Sequence, residues 1–315
     1  MTHKRKLPLW LVALLALLLA VLLTVVALNS GKDSGPEQQQ HVAIPDAQEP
    51  VAEEIERSMA EDHKSIEPPS LPVVPLAERG ISLILDDVGY DLPALKRILK
   101  LSVPVAVSVI PDAPFARQSA ELAHQSGQIV MLHLPMEPST QKYRDRMSAA
   151  FLHEKMSGEQ LRQTFIRDLD MVPYVEGVNN HMGSHLTLLE QPMRHVMQLC
   201  QERGLFFVDS KTSGKSVAAK MAAEQGIAWA SRQIFLDHDI NEQAMLKAWD
   251  RARRCVERNL RCVVIAHPHA ESVAFLEKHL SQQDVGSMVS VKSMLAPAVN
   301  AVQLHPVEEN GEKLL

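Results

Sequence analysis

Residues 79–90 read Arg79-Gly80-Ile81-Ser82-Leu83-Ile84-Leu85-Asp86-Asp87-Val88-Gly89-Tyr90, and they set the pattern for the chain that follows. Ile81 to Leu85 is a short apolar run of the kind that forms a buried strand, and it stops at two carboxylates and a glycine. Similar strand-like runs fall at 103–110, 128–132, 174–178, 205–208, 227–230 and 262–266, with a further candidate at 288–291. Segments of helical period lie between them, at 92–101, 115–125, 158–171, 191–202, 216–224, 241–259 and 271–280. Strands alternating with helices in this way predict an α/β fold with a parallel sheet, either open and doubly wound or closed into a barrel. Periodicity alone leaves both open.

This body covers residues 77–303, and its flanks are of a different kind. The chain has 315 residues, 46% of them hydrophobic, with 32 Lys and Arg against 38 Asp and Glu. Residues 29–76 hold ten acids against Lys32, Arg57 and Lys64; the tail, 304–315, holds three Glu against Lys313. With Lys4, Arg5 and Lys6 these segments account for the whole net charge of −6, so the body is electrically neutral. Nucleic acid is therefore not an expected partner. No residue from Leu7 to Leu28 is charged, and as a helix this run would cover roughly 30 Å, the hydrocarbon thickness of a bilayer. Residues 1–28 are thus expected to be a single transmembrane helix, with the basic residues before it cytoplasmic and the body at the periplasmic face of a bacterial inner membrane. The alternative is a signal segment cleaved near Val25 and Ala27, giving a secreted protein, although the run exceeds the usual ~7–15 residues. Residues 29–76 carry too few large apolar groups to offset the entropy of ordering, and read as a disordered acidic linker. Of Cys200, Cys255 and Cys262, the last two can pair or stay as buried thiols; no cysteine spacing suits a metal.

Chemistry is expected where polar residues end the apolar runs. Asp86-Asp87, His133, Asn179-Asn180-His181, Asp209-Ser210 and His267-Pro268-His269 each follow a strand. In parallel α/β folds these ends converge on one face. Taken singly, each has a plain structural reading: an N-cap for the aspartates, a hydrogen-bonded core residue for a histidine. Gly183 argues against a helix bringing His181 and His185 to one face, and Pro268 against both His267 and His269 entering one site. Taken together, two imidazoles and a carboxylate with an open position make up the ligand set of a catalytic divalent-metal site. No glycine-rich phosphate loop follows any strand, and Ser213-Gly214-Lys215-Ser216 lacks the upstream glycine of one. Residues 139–155, with Tyr143, Arg144 and Arg146, form a long insertion suited to a lid, a substrate rim or a plain loop.

At Ile84-Leu85-Asp86-Asp87-Val88-Gly89-Tyr90, Leu132-His133-Leu134-Pro135-Met136-Glu137-Pro138, Gly177-Val178-Asn179-Asn180-His181-Met182-Gly183-Ser184, Phe207-Val208-Asp209-Ser210-Lys211-Thr212 and Ala266-His267-Pro268-His269, the chain resembles the divergent polysaccharide deacetylase (YibQ-like) family, a branch of the NodB-homology superfamily of carbohydrate esterases. The resemblance implies a distorted (β/α)7-type barrel and so selects the closed option. It also implies a metal-dependent deacetylase of N-acetylated envelope polysaccharide, with a divalent ion, Zn²⁺ first among them. Asp86 resembles the general base, Asp87 a metal ligand and His267 the general acid. His133 and His181 stand as the histidine ligands, with His185 in reserve because it completes H-x-x-x-H with His181. Asp209 is expected to fix an imidazole tautomer, and a backbone N–H between Asn180 and Gly183 to hold the oxyanion. The superfamily's arginine-proline-proline-tyrosine and aspartate-tryptophan segments are absent. That departure keeps a non-catalytic glycan-binding or scaffold protein as the alternative, with a metal-dependent phosphoesterase ranked behind both.

Overall fold

The computed structural model describes residues 80–296. The anchor or signal segment expected for 1–28, the linker over 29–76 and the tail over 304–315 lie outside the described residues. Among the described residues no helix is long and apolar enough to cross a membrane.

Eight parallel strands make one curled sheet: β1 Gly80–Val88, β2 Val105–Val109, β3 Ile129–Met136, β4 Val175–Met182, β5 Phe206–Asp209, β6 Trp229–Ser231, β7 Ile234–Phe235 and β8 Arg261–Ala266. Their hydrogen-bonded order is β6-β5-β4-β3-β2-β1-β8-β7. The expected barrel is corrected in two respects. There are eight strands, because the two-residue β7 is too short to stand out from its surroundings in sequence. Moreover, β6 and β7 are the two edges, so no ladder closes the ring. The chain itself crosses that seam in Arg232-Gln233, whose N–H groups donate outward to Asp209 O (2.9 Å) and Val263 O (3.0 Å).

The helices are α1 Leu92–Ile98, α2 Ala116–Gln125, α3 Gln141–Arg144, α4 Gly158–Met171, α5 Glu190–Glu202, α6 Ala218–Glu224, α7 Glu242–Glu257, α8 Ala270–His279 and α9 Gln282–Ser287. Local chemistry sets their ends. Ser157 and Gln160 form a capping box at the start of α4. Asn241 accepts from Ala244 N (2.9 Å) at the start of α7, and Asn259 follows its end at φ 57°.

Period-2 alternation along the strands sorts the core into two layers. Leu83, Leu85, Val107, Leu132, Val178, Phe207, Val264 and their like pack with helix residues such as Leu95, Phe165, Val196 and Trp249. Their neighbours Ile84, Ala106, Met131, Val208, Ala230, Val263 and Ile265 form a second cluster that includes no residue of α1–α9. That cluster faces into the curl. On β4 the inward position is Gly177, where a Cβ would lie 2.2 Å from the Phe206 ring; the aromatic takes the space the glycine leaves. Val291 and Met294, from the 3-10 turn Val291–Met294, complete the inner cluster. The strand considered for 288–291 is therefore corrected to a single bridge, Met288 to Ile81, because the segment turns to run beneath the starts of the strands. Val289 N donates to Ile81 O (2.9 Å), and Ala296 pairs with Trp229.

Candidate functional site

Continuing the same alternation two residues beyond the inward apolar positions brings up Asp86, Ser108, His133, Asn179, Ser210, Arg232, Asp237 and His267, one from each strand or its immediate extension. The apolar floor thus carries a polar layer at the carboxyl ends of the strands. β1, β3 and β4 run further than the sequence indicates, so Asp86, Asp87, His133 and His181 are strand residues held by the sheet.

Asp87 breaks the alternation. In a regular strand it would follow Leu83 and Leu85 outward, since neighbours face opposite ways. The register between β1 and β2 slips between Leu85 and Val88, and Asp87 adopts φ 54°, a bulge in the left-handed region. The chain thus begins to turn at the aspartate, ahead of Gly89 (φ 127°). As a result Asp87 Oδ1 lies 2.8 Å from His181 Nδ1 and 3.1 Å from His133 Nε2. Asp87, His133 and His181 offer three ligand atoms within 4.8 Å of one another. Asp87 Oδ1 is buried, and none of its neighbours is placed to donate a well-aligned hydrogen bond. An orphaned carboxylate oxygen between two imidazole nitrogens is a donor set that fits a divalent cation. Burial alone would raise the Asp87 carboxyl, but His181 and His133 outweigh it and hold it well below the usual range. Burial likewise opposes a charged His133, and Asp86 followed by Asp87 raises it nonetheless.

Asp86 is buried beside this cluster. Its Oδ1 accepts from Asn179 Nδ2 (2.8 Å), and its Oδ2 lies 3.7 Å from His133 Nε2. Asn179 also accepts from His133 Nδ1 (2.8 Å) and Ser108 Oγ, and donates to Ser210 Oγ (3.1 Å). Across the rim, His267 Nε2 is 4.0 Å from Asp87 Oδ2. Asp237 holds that ring: Oδ1 is 3.0 Å from His267 Nδ1, while Oδ2 accepts from His267 N (2.7 Å) and Ser272 Oγ (2.6 Å). Burial disfavours the imidazolium, yet Asp237 prevails and raises His267 to about 9.

Of the residues singled out in sequence, Asp86, Asp87, His133, His181 and His267 come together. Two, His185 and Asp209, do not take the places expected. His185 turns to Glu154 (Nε2 to Oε2, 2.9 Å), because the chain bends at Met182 (φ 52°) and Gly183 (φ 88°), so H-x-x-x-H is split between two sites. Gly183 is required there, since a Cβ would sit 3.0 Å from Met136 Cβ. Asp209 bonds Lys211 N (2.8 Å) and no imidazole among the described residues; Asp237 takes the role assigned to it. Asn180 braces β4 to the end of β5, accepting from Ser210 N (2.9 Å) and donating to Met182 O (2.8 Å). The insertion 139–155 is docked, with Leu152 N and O bonded to Pro135 and Glu137 and with Phe151 edge-on to His181. Cys255 and Cys262 are free thiols in hydrogen-bond contact. Asp237 and Arg232 are the site residues not found by sequence reasoning, which named Asn179 at its strand end without giving it a role. Arg232 is held by Ser210 O (2.6 Å) and Lys211 O (2.8 Å), and its charge reaches Asp209 and Asp86.

A curled parallel α/β sheet with carboxylates and imidazoles gathered at its carboxyl rim defines the class of barrel-like proteins that build sites on strand ends. The model of one such family, the divergent polysaccharide deacetylases, matches residues 83–295, and the chain belongs to that family. Among its relatives is the uncharacterized protein YibQ of Escherichia coli (strain K12), 33% identical over 204 residues, which are 65% of this chain and 63% of the relative. An uncharacterized Haemophilus influenzae protein is 36% identical over 206 residues, covering 65% of this chain and 72% of its own length. The chain therefore spans under two thirds of the Escherichia coli relative. In fold it is similar to an uncharacterized protein of Agrobacterium tumefaciens C58, with a TM-score of 0.62 at 19% identity over 70% of this chain and 91% of that one.

Proposed function

We propose that the chain is a metal-dependent hydrolase that removes acetyl groups from an N-acetylated envelope polysaccharide. The observation that carries this reading is the convergence of Asp87 Oδ1, His133 Nε2 and His181 Nδ1 with the Asp87 oxygen left unsatisfied. Those three residues would hold a divalent ion, Zn²⁺ first among candidates, which when bound supplies Lewis-acid polarisation of a carbonyl and acidifies water toward a pKa of about 7.

The protein's own groups divide the remaining work. Asp86, with Oδ1 fixed by Asn179, presents Oδ2 toward the cluster and takes the proton from the attacking water. His267, with Nδ1 tied to Asp237, presents Nε2 from the other side and gives a proton to the departing amine as the amide C–N bond breaks. Acetate and a free amine result. Phe151 lies edge-on to His181, and Phe235 packs against His267. The uncharged run from Leu7 to Leu28, preceded by three basic residues, supports a placement at the periplasmic face of the inner membrane, where such a glycan is found.

The test is elemental analysis of the purified full chain together with acetate release from N-acetylated oligosaccharides. One tightly held divalent ion and metal-dependent acetate release are expected. A chain that takes up no ion when Zn²⁺ is added would overturn the hydrolase reading. A chain that binds the ion and releases no acetate from any oligosaccharide tried would favour a glycan-binding module on the same fold.

A further inference from the structure

We infer that Asn179 is a positioning residue that sets the tautomer of His133 and the aim of Asp86 through one amide, so that base and ligand are oriented together. This deepens the metal-site reading and rests on it. A primary amide has one donor end and one acceptor end. The donor end, Nδ2, faces Asp86 Oδ1 at 2.8 Å and Ser210 Oγ at 3.1 Å. An ionised carboxylate only accepts, so the amide nitrogen must point at Asp86 and the amide oxygen must point away from it. On that side Oδ1 meets His133 Nδ1 at 2.8 Å and Ser108 Oγ.

An amide oxygen cannot donate, so the neutral His133 ring must carry its proton on Nδ1 and leave Nε2 as a bare lone pair. Nε2 is the nitrogen that faces Asp87 Oδ1 at 3.1 Å and Asp86 Oδ2 at 3.7 Å. The order of dependence runs from the Asp86 charge to the amide orientation, from that to the imidazole tautomer, and so to the ligand. Asp86, Asn179 and His133 are 2%, 0% and 2% exposed, so water does not replace any of these bonds. The neighbouring Asn180 spends its amide on Ser210 N, Met182 O and, at 3.4 Å, Thr212 Oγ1. Of the asparagine pair, only Asn179 faces the chemistry.

The first measurement needs no variant. Long-range proton–nitrogen NMR of the metal-free full chain, on the neutral His133 ring, should show Nδ1 protonated and Nε2 bare; the opposite tautomer overturns the inference. The second is Zn²⁺ affinity by titration calorimetry. Asn179→Leu keeps the volume and removes both polar ends, and should weaken Zn²⁺ binding by about 10–100-fold. Asn179→Asp keeps an acceptor for His133 and loses the donor to Asp86, so Zn²⁺ binding should persist while acetate release is lost. An Asn179→Leu chain that binds Zn²⁺ as tightly as wild type overturns the inference and leaves the metal site standing. A wild type that binds no Zn²⁺ overturns the metal-site reading, and the tautomer of the metal-free ring then decides separately whether Asn179 orients His133.

Discussion

Of the three carboxylate–imidazole groups among the described residues, Asp237, His267 and His269 share the rim with the candidate site, and of the two that invite comparison only one has the character of a site. Glu137, Glu154 and His185 have ligand atoms as tightly grouped as those of Asp87, His133 and His181. Yet every carboxylate in the first group is already engaged. Glu137 lies against Arg144 (3.2 Å) and accepts from Glu154 N (2.8 Å), and Glu154 meets His185 (2.9 Å) at a side chain more than half exposed. In the second group the Asp87 oxygen between the imidazoles is buried and unsatisfied. Proximity is shared; the number of imidazoles, two against one, and the unmet hydrogen-bonding demand are what differ. Asp168 shows that an orphaned oxygen is not sufficient either. Its Oδ2 is buried without a partner, but no imidazole faces it, and burial, only partly countered by Arg167, raises the carboxyl to about 7. Asp87 answers burial with two histidines, Asp168 with the single guanidinium of Arg167 at 2.8 Å.

The largest expected effect separates the two clusters directly. Asp87→Ala and His181→Ala should lose the bound divalent ion in elemental analysis, whereas Glu154→Ala and His185→Ala should retain it; loss of the ion in the second pair would break the comparison. Next, Asp86→Asn and His267→Ala should lower kcat for acetate release by about 10²–10⁴-fold, since each removes a proton-transfer group, and His267→Ala should keep the ion. Asp168→Asn tests the third carboxylate. A folded-state value raised from 3.8 to about 7 gives stability that is present in acid and lost as pH rises between those values. Urea unfolding should therefore find the variant's advantage over wild type growing across that interval, and a constant difference would refute the raised value. The smallest effect is that of Glu154→Gln, expected to leave the urea midpoint of unfolding indistinguishable from wild type because the Glu154–His185 pair is exposed.

Much of this arrangement was legible in the strand ends. Asp86, His133 and His267 follow recognisable apolar runs at the inward parity of Ile84, Met131 and Ile265, so the runs alone announce them. Asn179 was legible by the same parity, two residues beyond Gly177, but a glycine gives no apolar signal from which to count. Asp237 ends a run in the same way, after Ile234-Phe235-Leu236, yet three residues are too few to declare a strand. Two features lay beyond pattern reading. The bulge that turns Asp87 inward depends on a register slip against β2, and the parting of His181 from His185 depends on backbone angles at Met182 and Gly183. Both arise from long-range pairing and close packing, which local composition does not encode.

The segment that runs beneath the strands bears on how the chain is made. β1 finds one of its two partners only in β8, and the inner cluster has no base until Val291 and Met294 arrive. A chain that ends before Val291 therefore lacks the residues that complete the inner layer. The strand that opens the sheet and the turn that lies beneath it are thus far apart in sequence and adjacent in space.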